Sequence, residues 1–318
     1  MYKVGSLYAG VGGVCMGFMN AGAELAWANE WDAKACVTYR HNFGHKLYEG
    51  DVMELDPEGL APVDILAAGF PCQPFSVAGY RKGFGDERGN HFFRIMKYVE
   101  VLKPKVIFLE NVKNLQGHDN GNTFRVIQET IEAAGYSFDA KVLNTKDYGN
   151  IPHNRERIFI VAFRNDADGG NKAAERFAFP EPEELTRVVG DVVDFSAKVD
   201  KAFYYGKDRY MYPELKKHMT NPDTVYQWRR LYVRENKSNV CPTLTANMGT
   251  GGHNVPLVVT KHGFRKLTPK ECFLFQGFPE DYKLPAEMAK SHLYKQAGNS
   301  VSVPVIERIA EKIIEAAG

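Results

Sequence analysis

No stretch of the 318-residue chain reaches the roughly 18 uninterrupted apolar residues that a membrane-spanning helix needs. The opening Met1-Tyr2-Lys3-Val4 also lacks the apolar run of a signal peptide and reads as the start of a strand. Together these absences predict a cytoplasmic protein. Cysteine is scarce: Cys15, Cys36, Cys72, Cys241 and Cys272 are five in number, and no two lie within five residues of each other. That argues against a disulfide framework and a zinc knuckle, so no metal is expected. Charge of one sign is lacking too. Forty Lys and Arg against 39 Asp and Glu leave a net charge of +1, which gives no sign of a nucleic-acid partner. Internal repeats and low-complexity segments are absent, which argues against a solenoid. What remains, 44% apolar and 25% charged residues, is a globular composition with length for about two domains.

The first half alternates two kinds of segment. Short apolar runs at Lys3–Tyr8, Leu25–Ala28, Lys46–Tyr48, Asp64–Ala68, Val106–Leu109, Tyr136–Leu143 and Arg157–Phe163 read as strands. Between them, Val14, Phe18 and Ala21 recur at helical spacing and stop at Gly22. A helix is expected over Ala33–Phe43. Phe93, Met96, Val99 and Leu102 form a period that stops before Pro104, and Phe124, Ile127, Ile131 and Ala134 one that stops at Gly135. This order predicts an α/β fold with a doubly wound, mostly parallel sheet of Rossmann-like type. The pattern breaks after Phe163. Residues 177–262 show no sustained helical period and many aromatics, which predicts a smaller, irregular, β-leaning domain. Ile306, Ile309, Ile313 and Ala317 then mark a closing helix. The expected domains are residues 1–176 with 290–318, and residues 177–289 as a second domain and hinge.

Tyr8, Ala9, Gly10, Gly12 and Gly13 form a glycine-rich turn between the first strand and the first helix. Glycine there lets the backbone turn sharply and approach a ligand. Glu30 follows Gly10 by twenty residues, where a carboxylate holds ribose hydroxyls in nucleotide-binding folds. Asp51, with Val52, follows the third strand within reach of an adenine amino group. Trp31 is placed to stack on adenine; its other reading is core packing. A dinucleotide fingerprint would want a third glycine where Cys15 stands, so the turn favours an adenosyl cofactor without a pyrophosphate, such as S-adenosylmethionine. The competing reading is two surface carboxylates and a helix-start glycine.

The segment Gly69-Phe70-Pro71-Cys72-Gln73-Pro74-Phe75-Ser76 follows the fourth strand. In a doubly wound sheet that strand lies beside the first, across the switch point where ligands bind. A thiol there, flanked by two prolines, is rigidly aimed and is a candidate nucleophile; the alternative is a structural cysteine at a tight turn. Glu110 ends a buried strand in the same crevice, where desolvation would let it act as an acid near neutral pH. Arg155 and Arg157 alternate with Glu156, and period two would set both guanidinium groups on one face, suited to an oxygen ligand.

These strings, in order and nearly end to end, resemble the bacterial DNA (cytosine-5)-methyltransferases of restriction–modification systems. The Tyr8–Gly13 turn resembles the family's cofactor loop, with tyrosine where phenylalanine is usual, and Glu30-Trp31 and Asp51 resemble its nucleoside contacts. Residues Gly69 to Ser76 resemble its nucleophile loop, Glu110-Asn111-Val112 its acidic motif and Arg155-Glu156-Arg157 its arginine motif. Arg265-Lys266-Leu267-Thr268-Pro269-Lys270-Glu271-Cys272 resembles a late structural motif. Gln296-Ala297-Gly298-Asn299-Ser300-Val301 resembles a final motif that returns to the cofactor site. Ser6 departs from the aspartate of many members, and His153 and Asn154 replace the usual glutamine and its neighbour.

The resemblance implies S-adenosylmethionine as cofactor, with S-adenosylhomocysteine as product. Its contacts would be Tyr8, Ala9, Gly10, Gly12, Gly13, Glu30, Trp31, Asp51, Val52, Pro71, Asn299, Ser300 and Val301. It further implies Cys72 as nucleophile, Glu110 at N3 of cytosine, and Arg157 with Arg155 at O2, on a base flipped out of duplex DNA. The expected partners are duplex DNA and a restriction endonuclease of the same specificity, with the chain itself a monomer.

Splitting the net charge changes its meaning. Residues 201–270 hold 13 Lys and Arg against four Asp and Glu, an excess of nine positive charges that leaves the rest of the chain at −8. Tyrosines and Trp228 are interleaved, the footprint of a phosphate-binding face. Candidate DNA contacts are Arg229, Arg230, Arg234, Thr243, Thr245, Asn247 and His253, with Ser76, Arg81 and Lys82 in the loop after Cys72. The competing reading of the segment 242–254 is a glycine-rich hairpin without base contacts, and that of the stretch after Cys72 is a plain flexible loop. Rival functions are a tRNA cytosine-5 methyltransferase, an oxidoreductase with a redox thiol, and a binding module without catalysis. The basic recognition region favours duplex DNA over the first. The missing third glycine and the lack of a resolving cysteine near Cys72 count against the second. The intact Cys72, Glu110 and Arg157 count against the third.

Overall fold

In the computed structural model of the chain, the alternating apolar runs assemble into a seven-stranded sheet. The structure describes residues 1–318 except 72–90, 168–169, 230, 237 and 251–253. The strands are β1 (Lys3–Leu7), β2 (Glu24–Glu30), β3 (Lys46–Glu49), β4 (Ile65–Gly69), β5 (Val106–Val112), β6 (Asp139–Asn144) and β8 (Glu156–Phe163), with a two-residue β7 (His153–Asn154) outside this sheet. Their order is β3-β2-β1-β4-β5-β8-β6. The pairs β1–β2, β1–β4, β2–β3 and β4–β5 are parallel, and β5–β8 is antiparallel. The order reverses between β1 and β4, the switch point that the motif order requires.

Ile65, Leu66, Ala67 and Ala68 of β4 are all fully buried, which explains an apolar run without alternation: both faces of the strand are covered. The covering helices are α1 (Gly13–Asn20), α2 (Ala33–Arg40), α3 (His91–Leu102) and α4 (Asn122–Ala133). On β5, Ile107 and Leu109 share a core cluster with Phe92, Ile95 and Val99 of α3 and with Ile127 and Ile131 of α4. Phe108, pointing the other way, meets Phe18 of α1 edge to face at 5.2 Å. Among the described residues no helix is long and apolar enough to cross a membrane.

The chain divides into two compact units. The first comprises Met1–Leu143, Glu156–Glu181 and Val305–Gly318; the second, Asn144–Arg155 and Pro182–Pro304. The second contains a four-stranded antiparallel sheet, β10-β9-β12-β13, built from β9 (Val225–Trp228), β10 (Val233–Glu235), β12 (Leu257–Thr260) and β13 (Gly263–Lys266). Met211, Leu215, Met219, Tyr226, Trp228, Val233 and Leu257 form its own small core. A strand β11 (Cys241–Pro242) pairs in parallel with β7. The division departs from the boundaries expected at 176/177 and 289/290: residues 177–181 stay with the first unit, and residues 144–155 and 290–304 join the second. Segments 144–155 and 290–304 pack against residues 241–250, whereas Phe177 packs on Phe163 of β8 and the Glu181 carbonyl accepts from Arg308.

Candidate active site

The turn after β1 is built by backbone conformation. Tyr8, Gly10 and Gly12 all lie in the left-handed region, at φ of 55°, 57° and 85°. A Cβ on Gly10 would meet nothing within 4 Å, so the turn is open there, whereas on Gly12 it would strike the Phe43 ring at 2.2 Å. Ala9 donates its N–H to the Asn29 carbonyl at 2.9 Å, and Gly10 donates to Glu30 Oε2 at 2.7 Å. Gly13 begins α1. Glu30 Oε1 accepts the N–H groups of Trp31 and Asp32 at 3.0 and 2.7 Å. Burial pushes the Glu30 carboxyl up from its ordinary range, against the pull of the Asp32, Gly10 and Trp31 N–H groups. A carboxylate offers about four acceptor positions, so with three N–H groups bound it retains one. Trp31 is 72% exposed, so it is no core residue. Asp51 is exposed and Val52 is buried beside it.

At the next strands, Gly69 stands opposite Glu110 in the β4–β5 register, and Asn111 Nδ2 donates to the Phe70 carbonyl at 3.0 Å. This anchors the chain as it leaves β4 toward the exposed Pro71. Cys72 follows in sequence and lies outside the described residues, as do Ser76, Arg81 and Lys82. The other four cysteines are free and buried, and burial pushes their thiols up, that of Cys36 to about 11. A thiol so raised is a poor source of thiolate at neutral pH.

Glu110 is 8% exposed, and Arg157 Nε lies 3.0 Å from its Oε1. The register explains the pair. Glu110 opposes Phe159 across β5–β8, and Arg157, two residues before Phe159, is its diagonal neighbour on the same face. The guanidinium compensates a carboxylate charge that burial would otherwise penalise.

Arg155 corrects the expectation that both arginines share a face. It precedes β8, so strand alternation does not relate it to Arg157. Its guanidinium, 2% exposed, donates to the carbonyls of Leu244 at 2.9 Å, Gly298 at 3.3 Å and Ser300. These bonds occupy the group on backbone of its own unit. His153, fully buried, works beside it: Nδ1 lies 2.9 Å from the Phe275 carbonyl, and Nε2 accepts the Leu244 N–H at 3.3 Å. The ring therefore donates from one nitrogen and accepts at the other, the pattern of a neutral imidazole and the one a glutamine amide can also provide. Both backbone groups of Leu244 are thus held by side chains of 153–155, which is why that segment joins the second unit.

The remaining expected residues fall in the second unit. Asn299, Ser300 and Val301 end and follow the helix Lys290–Asn299; Asn299 is exposed, and Ser300 and Val301 are buried. Arg229 and Arg234 are exposed on the β9–β10 hairpin, whereas Arg230 and His253 lie outside the described residues. Thr243 spends its hydroxyl proton on the Asn154 carbonyl at 2.6 Å, and Thr245 bonds Asn247. Arg265 and Glu271 of the late motif form a buried two-pronged pair at 2.8 and 2.7 Å, with Thr268 capping the helix Pro269–Phe275. Among the described residues no group of three or more His, Cys, Asp or Glu is placed to hold a metal ion. Sequence reasoning passed over Asn29, Arg94 and Tyr98, whose donors hold the loops around Asp51. Their one signal is polar residues on elements that otherwise feed the core.

Over residues 2–315 the chain matches the family described as C-5 cytosine-specific DNA methylase. The type II methyltransferase M.Bsp6I of Bacillus sp. (strain RFL6) is 58% identical over 316 residues, 98% of each chain. The type II methyltransferase M.HhaI of Haemophilus parahaemolyticus is 42% identical over 320 residues, covering 96% of this chain and 92% of that protein. Among solved structures, the S. pombe Dnmt2 methyltransferase superposes with a TM-score of 0.72 at 19% identity, over 100% of this chain and 99% of that one. A putative DNA modification methyltransferase of an E. coli prophage gives 0.71 at 22% identity over the same shares, a likeness of fold. By sequence, therefore, the chain belongs to the C-5 cytosine-specific DNA methylase family.

Proposed function

We propose that this DNA cytosine-5 methyltransferase transfers the methyl group of S-adenosylmethionine to C5 of a cytosine flipped out of a short, specific duplex site, through a covalent Cys72–C6 bond. The observation that carries the reading is the Glu110–Arg157 pair at 3.0 Å, one strand from the chain's exit toward Cys72. Cytosine C5 is a weak nucleophile. Addition of the Cys72 thiolate to C6 pushes the C5=C6 π electrons toward C5 and N3, and Glu110, entering the step as the carboxylic acid, gives its proton to N3 and becomes the carboxylate that Arg157 compensates. Arg157 donates to O2. S-adenosylmethionine supplies the electrophilic methyl group. Loss of the C5 proton to a base then expels the thiolate, and N3 returns its proton to Glu110, which restores the aromatic ring and the starting acid.

The chain's residues fit this cofactor. The turn is open at Gly10, Glu30 keeps one acceptor position for a ribose hydroxyl, and Trp31 offers an exposed ring just past the Glu30–Glu49 pair of β2 and β3, the strand end from which Asp51 and Val52 follow. Pro71, Asn299, Ser300 and Val301 are further proposed contacts. Duplex DNA is the proposed substrate of the basic segment 201–270, through Arg229, Arg230, Arg234, Asn247 and His253, with the chain acting as a monomer alongside a restriction endonuclease of the same specificity.

The test is Cys72→Ser. It should abolish transfer of tritiated methyl groups into duplex DNA while leaving cofactor binding intact; wild-type incorporation would refute the mechanism. Bisulfite sequencing of DNA and of tRNA from cells expressing the protein reports the target base and its context. Conversion-resistant cytosine in tRNA alone would replace the DNA reading with the RNA one.

A further inference from the structure

One face of α3 holds the two loops that carry the proposed nucleotide contacts. His91, Arg94 and Tyr98 follow one another by three and four residues, so they share a helix face. Arg94 uses its planar fork on two carbonyls of the Asp51 loop: Nε donates to Val52 at 3.0 Å and Nη2 to Leu55 at 2.8 Å. The Tyr98 hydroxyl sits between the same two oxygens, at 2.9 and 2.8 Å, and donates to one at a time. The guanidinium lies over the Tyr98 ring at 5.1 Å, which fixes its plane. One turn earlier, His91 Nδ1 lies 3.1 Å from the Tyr8 hydroxyl, with the two rings edge to face at 5.4 Å.

The Asp51 loop is gripped from its other end as well. Asn29 Nδ2 donates to the carbonyls of Tyr48 and Gly50, both at 3.0 Å. Asp51 Oδ1 accepts the Met53 N–H at 2.9 Å, which orients a carboxylate that is otherwise exposed. Helix formation needs none of the three α3 donors. A core helix facing apolar strands would be satisfied by leucine or methionine at 94 and 98. The donors instead fix two carbonyls flanking Asp51 and the hydroxyl of Tyr8.

We propose that His91, Arg94 and Tyr98 are positioning residues for the cofactor, acting through Tyr8, Val52 and Leu55 to hold Tyr8 and Asp51 ready for the adenosyl group. Preorganised contacts remove an ordering cost from binding, so loosening them weakens affinity without touching the groups that react. The proposal rests on the reading of Tyr8, Glu30 and Asp51 as cofactor contacts.

The experiment uses the full-length protein, with S-adenosylhomocysteine as the binding probe and steady-state methylation as the second measurement. Arg94→Met keeps the aliphatic stem and deletes both donors. It should raise Kd for the probe and KM for S-adenosylmethionine by about tenfold, with kcat at saturating cofactor within about twofold. Arg94→Lys, one ammonium facing two carbonyls, should recover part of the affinity. Tyr8→Phe removes a single oxygen and should move the same two quantities in the same direction by a few-fold, which keeps the test alive should Arg94→Met misfold. Wild-type affinity in both Arg94→Met and Tyr8→Phe, or a fall in kcat with KM unchanged, overturns the proposal. Glu30→Ala and Asp51→Ala separate the two layers. If both bind the probe as wild type does, the cofactor reading fails and the scaffold with it. If they bind weakly while Arg94→Met binds normally, the scaffold alone fails.

Discussion

Gly298 allows a magnitude to be worked from geometry. A Cβ at this position would lie 2.2 Å from the carbonyl carbon of Thr245, 2.3 Å from its oxygen and 2.5 Å from the Ala246 nitrogen. All three are backbone atoms, so no side chain can rotate away. Ordinary van der Waals contact begins at 3.4 Å, so Gly298→Ala must part the helix Lys290–Asn299 from residues 245–246 by about 1 Å. Overpacking of this kind costs about 1–3 kcal/mol, a fall in melting midpoint of roughly 2–5 °C for a chain of this length. The same displacement moves Asn299, Ser300 and Val301 away from Thr245 and Asn247. A misplacement near 1 Å costs catalysis up to about a hundredfold, so kcat/KM for duplex methylation should fall by about 10–100-fold. Calorimetry and a steady-state methylation series measure the two effects. Gly249→Ala, whose Cβ would meet the Ser291 carbonyl at 2.4 Å, should behave alike, whereas Gly44→Ala, with nothing within 4 Å, should be silent. A Gly298→Ala enzyme that melts and turns over like wild type would show that the two backbones are not in contact. Early melting with wild-type turnover would make the approach structural alone.

Two further outcomes follow from other parts of the molecule. Arg265 is fully buried on Glu271, so Arg265→Met strands a carboxylate and should cost about 3–5 kcal/mol in urea unfolding. Adding Glu271→Leu removes the stranded charge and should restore most of that loss, and a double variant as unstable as the single one would sink the argument. Burial holds His45 and His91 below the ordinary imidazole range, and His45 Nε2 sits 2.7 Å from the Tyr39 hydroxyl. The unfolded chain binds those protons near pH ~6.5, so this stability is complete above that pH and declines as pH falls through it toward the lower folded values. The urea midpoint should therefore drop between about pH 7.5 and 5.5, and His45→Gln should flatten the slope; an equal slope in the variant contradicts the assignment.

Much of the catalytic framework was legible because it is written in local patterns. The buried run Ile65–Gly69 and the glycines at 10 and 12 state a parallel strand and a sharp turn without reference to distant residues. Glu110 could be placed at a strand end from the apolar residues before it. Its partner could not be deduced from that run, because the pairing depends on the antiparallel register of β5 with β8. The alternation argument failed for Arg155, since a period of two holds only inside a strand, and β8 begins at Glu156.

The sequence by itself determined the strand and helix order and the family, and it singled out Cys72, Glu110 and Arg157 as the proposed reacting groups. The element order follows from side-chain type and short-range spacing, which physics reads locally; the family and the proposed groups follow from the resemblance of whole motif strings. Tertiary structure decided where Arg155 spends its guanidinium, why position 298 is glycine and which helix face grips the Asp51 loop. Each of these depends on backbone atoms meeting across more than 35 residues of chain, as in Arg94 with Leu55 or Gly298 with Thr245. A carbonyl oxygen carries no side-chain signature, so a donor aimed at one leaves no spacing for a sequence to show.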